Sequence, residues 1–233
     1  MLELGIPRGV YTSTVGVFSD TGGKLVDEHY RFTPGARGFT SEYERTKWLA
    51  HYDVAEPLIA KGLPLVIVQP ALVYGPGDNS LVGQSMRQYL QRRLPAAPQG
   101  ATFCWAYVDD TAHGHLLAME RGRIGESYIL AGPTHSMIEA LLIAEKITGI
   151  PAPRLRPPVP VMTAAARVVS AIERVAHLPV PQNMTAESLR AMLSTYMADD
   201  SKARRELGWT TRPLEAGLRE TLEAEMAQLR VKG

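Results

Sequence analysis

The chain has 233 residues, enough for one large domain or one and a half smaller ones. Its 45% hydrophobic and 21% charged residues are those of a soluble globular protein, and a net charge of +1 gives no electrostatic basis for binding nucleic acid or a membrane surface. A single cysteine, Cys104, excludes an internal disulfide and fits a reducing, cytoplasmic compartment as a buried, inert thiol.

The opening MLELGIPRG lacks the charged and apolar regions of a signal peptide, and no apolar run nears the ~20 residues of a membrane span. Residues 1 to 8 read as the last turn of a helix with Gly5 as its stop. Val10 to Thr14 then predict a short buried strand. Residues 19 to 40, polar and glycine-rich, predict a long surface loop, a kind of segment that is usually functional or mobile. Thr40 or Ser41 can cap a helix over 42–61, with Glu42 and Glu44 favourable in its first turn. Pro57 is expected to kink that helix or end it early.

GLPLVIVQP is a continuous apolar run closed by Pro70, as in a parallel strand buried on both faces. YGPGDNS predicts a turn and 81–93 a helix. FCWAYVDD predicts a strand ending at Asp109–Asp110, either of which could cap the helix of TAHGHLLAMERG. SYILAG predicts another strand, and 136–148 a helix with Gly149 as its C-cap. Five prolines in PAPRLRPPVPV mark a connector, followed by helices near 161–177, 185–195, 200–207 and 213–229. Arg92–Arg93 and Arg204–Arg205 are isolated pairs on solvated faces. Strands alternating with helices up to residue 149 imply an α/β parallel sheet, with a helical lobe after it.

Chemistry concentrates in SEYERTK. Tyr43 and Lys47, at i and i+4, share one face of a helix. An ammonium beside a phenol favours the phenolate, the form a general base needs, and the same lysine can donate to the ribose hydroxyls of a nicotinamide cofactor. A third group must hold the substrate oxygen, and Ser13 and Thr14 end a strand where open α/β sheets place ligands. Alone, the Tyr-x-x-x-Lys pair is a weak signal that an ordinary exposed helical pair would also produce.

Five segments in register change its weight: VYTSTVGVFSD, EYERTKWLAH, LPLVIVQPALVYGPGD, WAYVDDTAHGHLLAMERGRIGESYILAG and SKARRELGWTTRPLEAGLRETL. Together they resemble the extended short-chain dehydrogenases/reductases, the NAD-dependent epimerase/dehydratase relatives that include dihydroflavonol-reductase-like enzymes. The resemblance implies the C-terminal half of a doubly wound Rossmann-type parallel sheet plus a mainly helical substrate-binding lobe. Residues 1–149 would be the partial Rossmann-type domain and 150–233 the lobe, where Met162, Val168, Val169 and Met192 would supply apolar surface or simply core.

The resemblance also implies an NAD- or NADP-dependent oxidoreductase or epimerase acting on a small carbinol or ketone. Tyr43 would be the acid/base and Lys47 its partner, both also touching the cofactor. Thr14 would be the catalytic hydroxyl, counted four residues back from Phe18, with Ser13 as its neighbour in the cofactor site. Pro70, Ala71, Leu72 and Val73 would lie along the nicotinamide; Gln69 stands where the family often has arginine. Asp110 matches a Val-x-Asp position, with a structural cap as its expected role. No metal is implied, and a homodimer through the Tyr-x-x-x-Lys helix is the analogy-based expectation.

The family's Gly-x-x-Gly-x-x-Gly turn, which admits the pyrophosphate, is absent from the spacing of the twenty glycines. The first strand here resembles the fifth of the family's sheet, so about a hundred residues would precede Met1 in a complete relative. A fragment or a late start fits a chain that keeps its catalytic residues. The stretch LPAAPQGATFCWAYVDD leans toward the dihydroflavonol-reductase-like and sterol-dehydrogenase-like side. The alternatives are a nucleotide-sugar epimerase or dehydratase, and a truncated non-catalytic chain that needs a partner to bind cofactor.

Overall fold

The computed structural model describes all residues except 36–37, 98, 177–184, 186–189, 191–192 and 233. Spatially the chain falls into two units. The first comprises Met1–Val73, Phe103–Thr134 and Tyr196–Pro213, the second Tyr74–Thr102, His135–Thr195 and Leu214–Gly233.

The first unit is built on a parallel sheet in the order β1-β2-β5, from Gly9–Thr12, Leu65–Pro70 and Ser127–Leu130. Gly9 to Thr12 pair with Leu65 to Val68, and Ile67 to Pro70 with Ser127 to Leu130. Such an all-parallel ladder needs crossover connections and both faces covered. Val66, Val68, Tyr128 and Leu130 accordingly pack with Leu117, Leu207 and Trp209. Ile129 and Ala131 join Val15, Phe18, Val26 and Cys104 in a second cluster. The continuous apolar run of the central strand is this two-sided burial read off the chain.

Three further strands, β3 (Leu72–Tyr74), β4 (Thr102–Tyr107) and β6 (Thr134–Ser136), form a second sheet ordered β3-β4-β6. The link between β5 and β6 requires Gly132. Its φ is 76°, and a Cβ there would lie 2.1 Å from the Trp105 carbonyl oxygen, so no side chain fits.

Helix α1 spans Glu42–Trp48 and runs through a π-helical turn, Leu49–Ala55, into α2, Glu56–Ala60. Pro57 therefore does not end the helix early, one of its two expected outcomes. Proline cannot donate to a carbonyl four residues back and crowds it; widening the preceding turn, with the Glu56 N–H donating to the His51 carbonyl, accommodates the ring.

Helix α4 (Val108–Arg121) starts at Val108, so Asp109 and Asp110 sit inside its first turn and neither occupies the cap. The Asp110 carboxylate instead accepts from the Arg212 backbone N–H at 2.8 Å and from its guanidinium at 2.9 Å. Its carbonyl accepts from the Trp209 indole at 2.7 Å. The expected cap is thus an anchor for the segment after α7 (Ser201–Leu207).

Among its described residues the segment 19–40 has no helix, but it is not merely surface. Val26 bridges Ala198 in parallel, and Ser19, Thr21 and Val26 are buried.

The second unit contains α3 (Leu81–Leu90), α5 (Met137–Thr148), α6 (Val159–Ala176) and α8 (Leu214–Lys232). Ser136 and Glu139 form a reciprocal capping box at the start of α5, and Gly149 closes it in the left-handed conformation. The buried Glu225 carboxylate of α8 pairs with Arg87 of α3 at 3.3 Å. Val168 is 59% exposed on α6. Met192 and most of the expected 185–195 helix lie outside the described residues. No helix among the described residues is long and apolar enough to cross a membrane.

Candidate active site

β1 ends at Thr12, and a 3-10 turn over Val15–Phe18 follows, capped by the Thr14 side chain. Because Thr12 is level with Val68, Thr14 and Pro70 stand at equal height at the C-terminal ends of neighbouring parallel strands. Thr14 is 9% exposed, and its Oγ1 accepts from the Gly16 N–H at 3.1 Å. That bond uses a lone pair and leaves the hydroxyl proton free to be donated.

Ser41 caps α1 by accepting from the Glu44 N–H at 3.1 Å, which fixes where the helix begins. Tyr43 then falls in the first turn, 56% exposed. Lys47, one turn later, reaches back so that Nζ donates to the Thr12 carbonyl at 3.4 Å. A methyl group built on Gly16 would lie 3.4 Å from Thr14 Oγ1 and 3.7 Å from the Tyr43 ring. The phenol and the threonine hydroxyl thus flank the same glycine, and α1 packs directly on the 3-10 turn. Thr14 and Tyr43 are brought to one glycine, and Lys47 to the Thr12 carbonyl two residues before Thr14.

Ser13 is turned away from them. It is 3% exposed, and its Oγ lies 2.7 Å from His51 Nδ1 in the π-helical turn. Pro70 is buried at the end of β2, the Ala71 N–H donates to the Leu130 carbonyl at 3.1 Å, and Leu72 and Val73 enter β3. Gln69, where the family often has arginine, is 1% exposed and its Oε1 has no partner among the described residues.

Two buried groups beside the site carried no signal in the motif. Glu44 is 2% exposed; its carboxylate accepts from Ser19 Oγ at 3.0 Å, from the Thr40 N–H at 3.2 Å and from the Tyr196 hydroxyl. It ties the start of α1 to the 3-10 turn and to a segment 152 residues away. His51 is 2% exposed, and burial, reinforced by the Arg31 charge, pushes its pKa down to about 4. The imidazole is neutral at physiological pH. Its spacing of four after Lys47 was visible, but its partner was not. Burial, and secondarily the Tyr43 phenol, push the Tyr11 phenol up.

For a nicotinamide dinucleotide the fit is one-sided. Lys47 spends one long hydrogen bond on Thr12 and keeps donors for ribose hydroxyls. It sits at strand C-termini, where such ligands bind. The glycine turn for the pyrophosphate is not in the sequence. A recess of about 480 Å³ in the second unit, lined by Glu145, Pro151, Ala152, Arg154 and Arg156, holds none of these groups.

Parallel strands covered on both faces define a Rossmann-type α/β protein. The chain belongs to the NAD dependent epimerase/dehydratase family, whose model matches residues 1–131. It is 33% identical to the sterol demethylase protein B of Methylococcus capsulatus, over 88% of this chain and 62% of that protein. It is 31% identical to a putative dihydroflavonol 4-reductase of Synechocystis, over 88% of this chain and 60% of that one. A nucleoside-diphosphate-sugar epimerase structure from Pseudomonas aeruginosa superposes with a TM-score of 0.78 at 25% identity, covering 97% of this chain and 69% of that one. The chain therefore spans less than two thirds of the length of these two curated relatives.

Proposed function

We propose that this chain carries the acid/base centre of an NAD- or NADP-dependent oxidoreductase acting on a carbinol or ketone. Thr14 and Tyr43 flanking Gly16, with Lys47 on the adjoining Thr12 carbonyl, support this reading more than any other observation. In the reductive direction Thr14 donates to the substrate carbonyl oxygen and Tyr43 delivers the proton to it. In the oxidative direction the Tyr43 phenolate takes the proton from the carbinol. Lys47 stabilises that phenolate and holds the nicotinamide ribose, with Pro70 to Val73 alongside the ring. The dinucleotide, when bound, supplies or accepts the hydride.

The likeness to a sterol demethylase component and a dihydroflavonol reductase favours a largely apolar, ring-containing substrate. The likeness to a nucleoside-diphosphate-sugar epimerase supports the rival reading, a nucleotide sugar. Incubating the protein with NADH or NADPH and either a 3-ketosteroid and a dihydroflavonol or UDP-sugars, and following absorbance and product, separates the two. The first reading expects ketone-dependent oxidation of the reduced cofactor. Tyr43→Phe is expected to lower kcat at least 100-fold, the scale of general acid catalysis, with cofactor affinity nearly unchanged. Retained turnover in that variant overturns the assignment.

A further inference from the structure

The Ser13–His51 pair stands beside the three groups assigned above and is used by none of them. Both side chains are almost fully buried, with Oγ and Nδ1 2.7 Å apart. On the other side of the ring, Nε2 is 3.6 Å from the Glu56 carboxylate, which is itself held by Arg31 at 2.7 Å. A carboxylate there favours the proton on Nε2, so Nδ1 accepts from the Ser13 hydroxyl.

The two partners sit on the two pieces of backbone whose relative position matters most for the proposed chemistry. Ser13 lies between Thr12, whose carbonyl receives Lys47, and Thr14. His51 follows Lys47 by one turn on the same continuous helix. Its aim depends on the π-helical turn, because one residue of register rotates a helical side chain by about 100°. Ring packing against Tyr52, with centroids 4.4 Å apart, holds the imidazole from the side.

We propose that His51 is a positioning residue of this site, setting through Ser13 the register between the helix of Tyr43 and Lys47 and the strand end of Thr14. The inference rests on the reading of those three as the working groups. An ordinary core histidine would contribute to stability and leave the site's geometry alone.

Carbon-13 NMR of the full chain, with tyrosine labelled at Cζ, tests this without substrate or cofactor. The Tyr43 resonance is identified by its loss in Tyr43→Phe. His51→Phe and Ser13→Ala are each expected to displace that resonance beyond its linewidth, and the double variant no further than either alone. His51→Asn, whose amide oxygen falls near the place of Nδ1, is expected to restore the wild-type position. An unmoved Tyr43 signal in Ser13→Ala, additive displacements, or no rescue by asparagine overturns the proposal. Should His51→Phe fail to fold, Ser13→Ala, which deletes one hydroxyl, decides alone. Turnover by Tyr43→Phe would sink the catalytic assignment and leave the NMR outcome standing, so the two failures are distinguishable.

Discussion

A neutral histidine sealed inside the first unit makes a pH-dependent contribution to folding whose sign follows from its neighbours. His51 faces Ser13 from the strand end, Glu56 and Tyr52 from its own helix, and Arg31 from the preceding loop. Glu56 is closest in charge, but it is already paired to Arg31, whose guanidinium also lies 4.3 Å from the centre of the Tyr52 ring. Burial therefore decides, and the folded-state pKa of about 4 lies below the ordinary 6.5. Between those values the unfolded chain takes up a proton that the folded one refuses. The stabilisation is present above pH 6.5 and is lost as the pH falls toward 4. Lowering the pH from 7 to 5 is expected to cost about 2 kcal/mol through this group. Urea unfolding at the two pH values measures it, and His51→Phe should remove about that much of the difference. A variant that keeps the full wild-type slope shows that the histidine is not the source. Asp110 acts by geometry instead: its carboxylate is paired with Arg212, whose guanidinium is centred 3.9 Å over the Tyr107 ring, and so it holds the segment in place.

At the level of elements, the helix of Tyr43 is fastened at both ends by different means. Ser41 and Glu44 hold its start, with the carboxylate gathering donors from Ser19, Thr40 and Tyr196. Past Lys47, the π-helical turn and His51 hold it to the strand end. Local residues explain the start: Ser41 is a good N-cap, and the acidic first turn suits the helix dipole. Ser41→Ala is expected to destabilise the first unit by about 1 kcal/mol and to speed hydrogen exchange at the Glu44 amide it caps. Exchange at that amide equal to wild type would mean that the Glu44 network alone defines the helix start. The far end shows what Pro57 left open: proline forbids one hydrogen bond of a regular helix, but it does not say whether the chain stops or widens by one residue. Widening won here because the turn also buries His51 and Ala55.

Across the whole molecule, what was legible in the chain was local. The uninterrupted LVIVQP run announced two-sided burial, and Gly149 announced a helix end. The order of the catalytic segments announced the family. What was not legible depended on partners far away in sequence: Asp110 with Arg212, Glu44 with Tyr196, Val26 with Ala198. No window of ten residues carries those pairings. The sheet topology has one consequence in solution. β1 is hydrogen-bonded to β2 on one side, and among the described residues no strand pairs with its other edge. Near it in the first unit, α4 packs on β1 and presents Leu116 at 62% and Met119 at 44% exposure, while Leu4 is 79% exposed. An open edge beside exposed apolar side chains is a template for association, and proteins ordinarily blunt such edges with charge. Light scattering behind size-exclusion chromatography is therefore expected to show a mass that rises with concentration. Leu116→Glu combined with Met119→Lys should hold the 233-residue chain near its monomer mass of 25.5 kDa, because both side chains point to solvent and cost little folding energy. If association persists unchanged in that double variant, it runs through another surface, and the edge of β1 is protected by the loops around it.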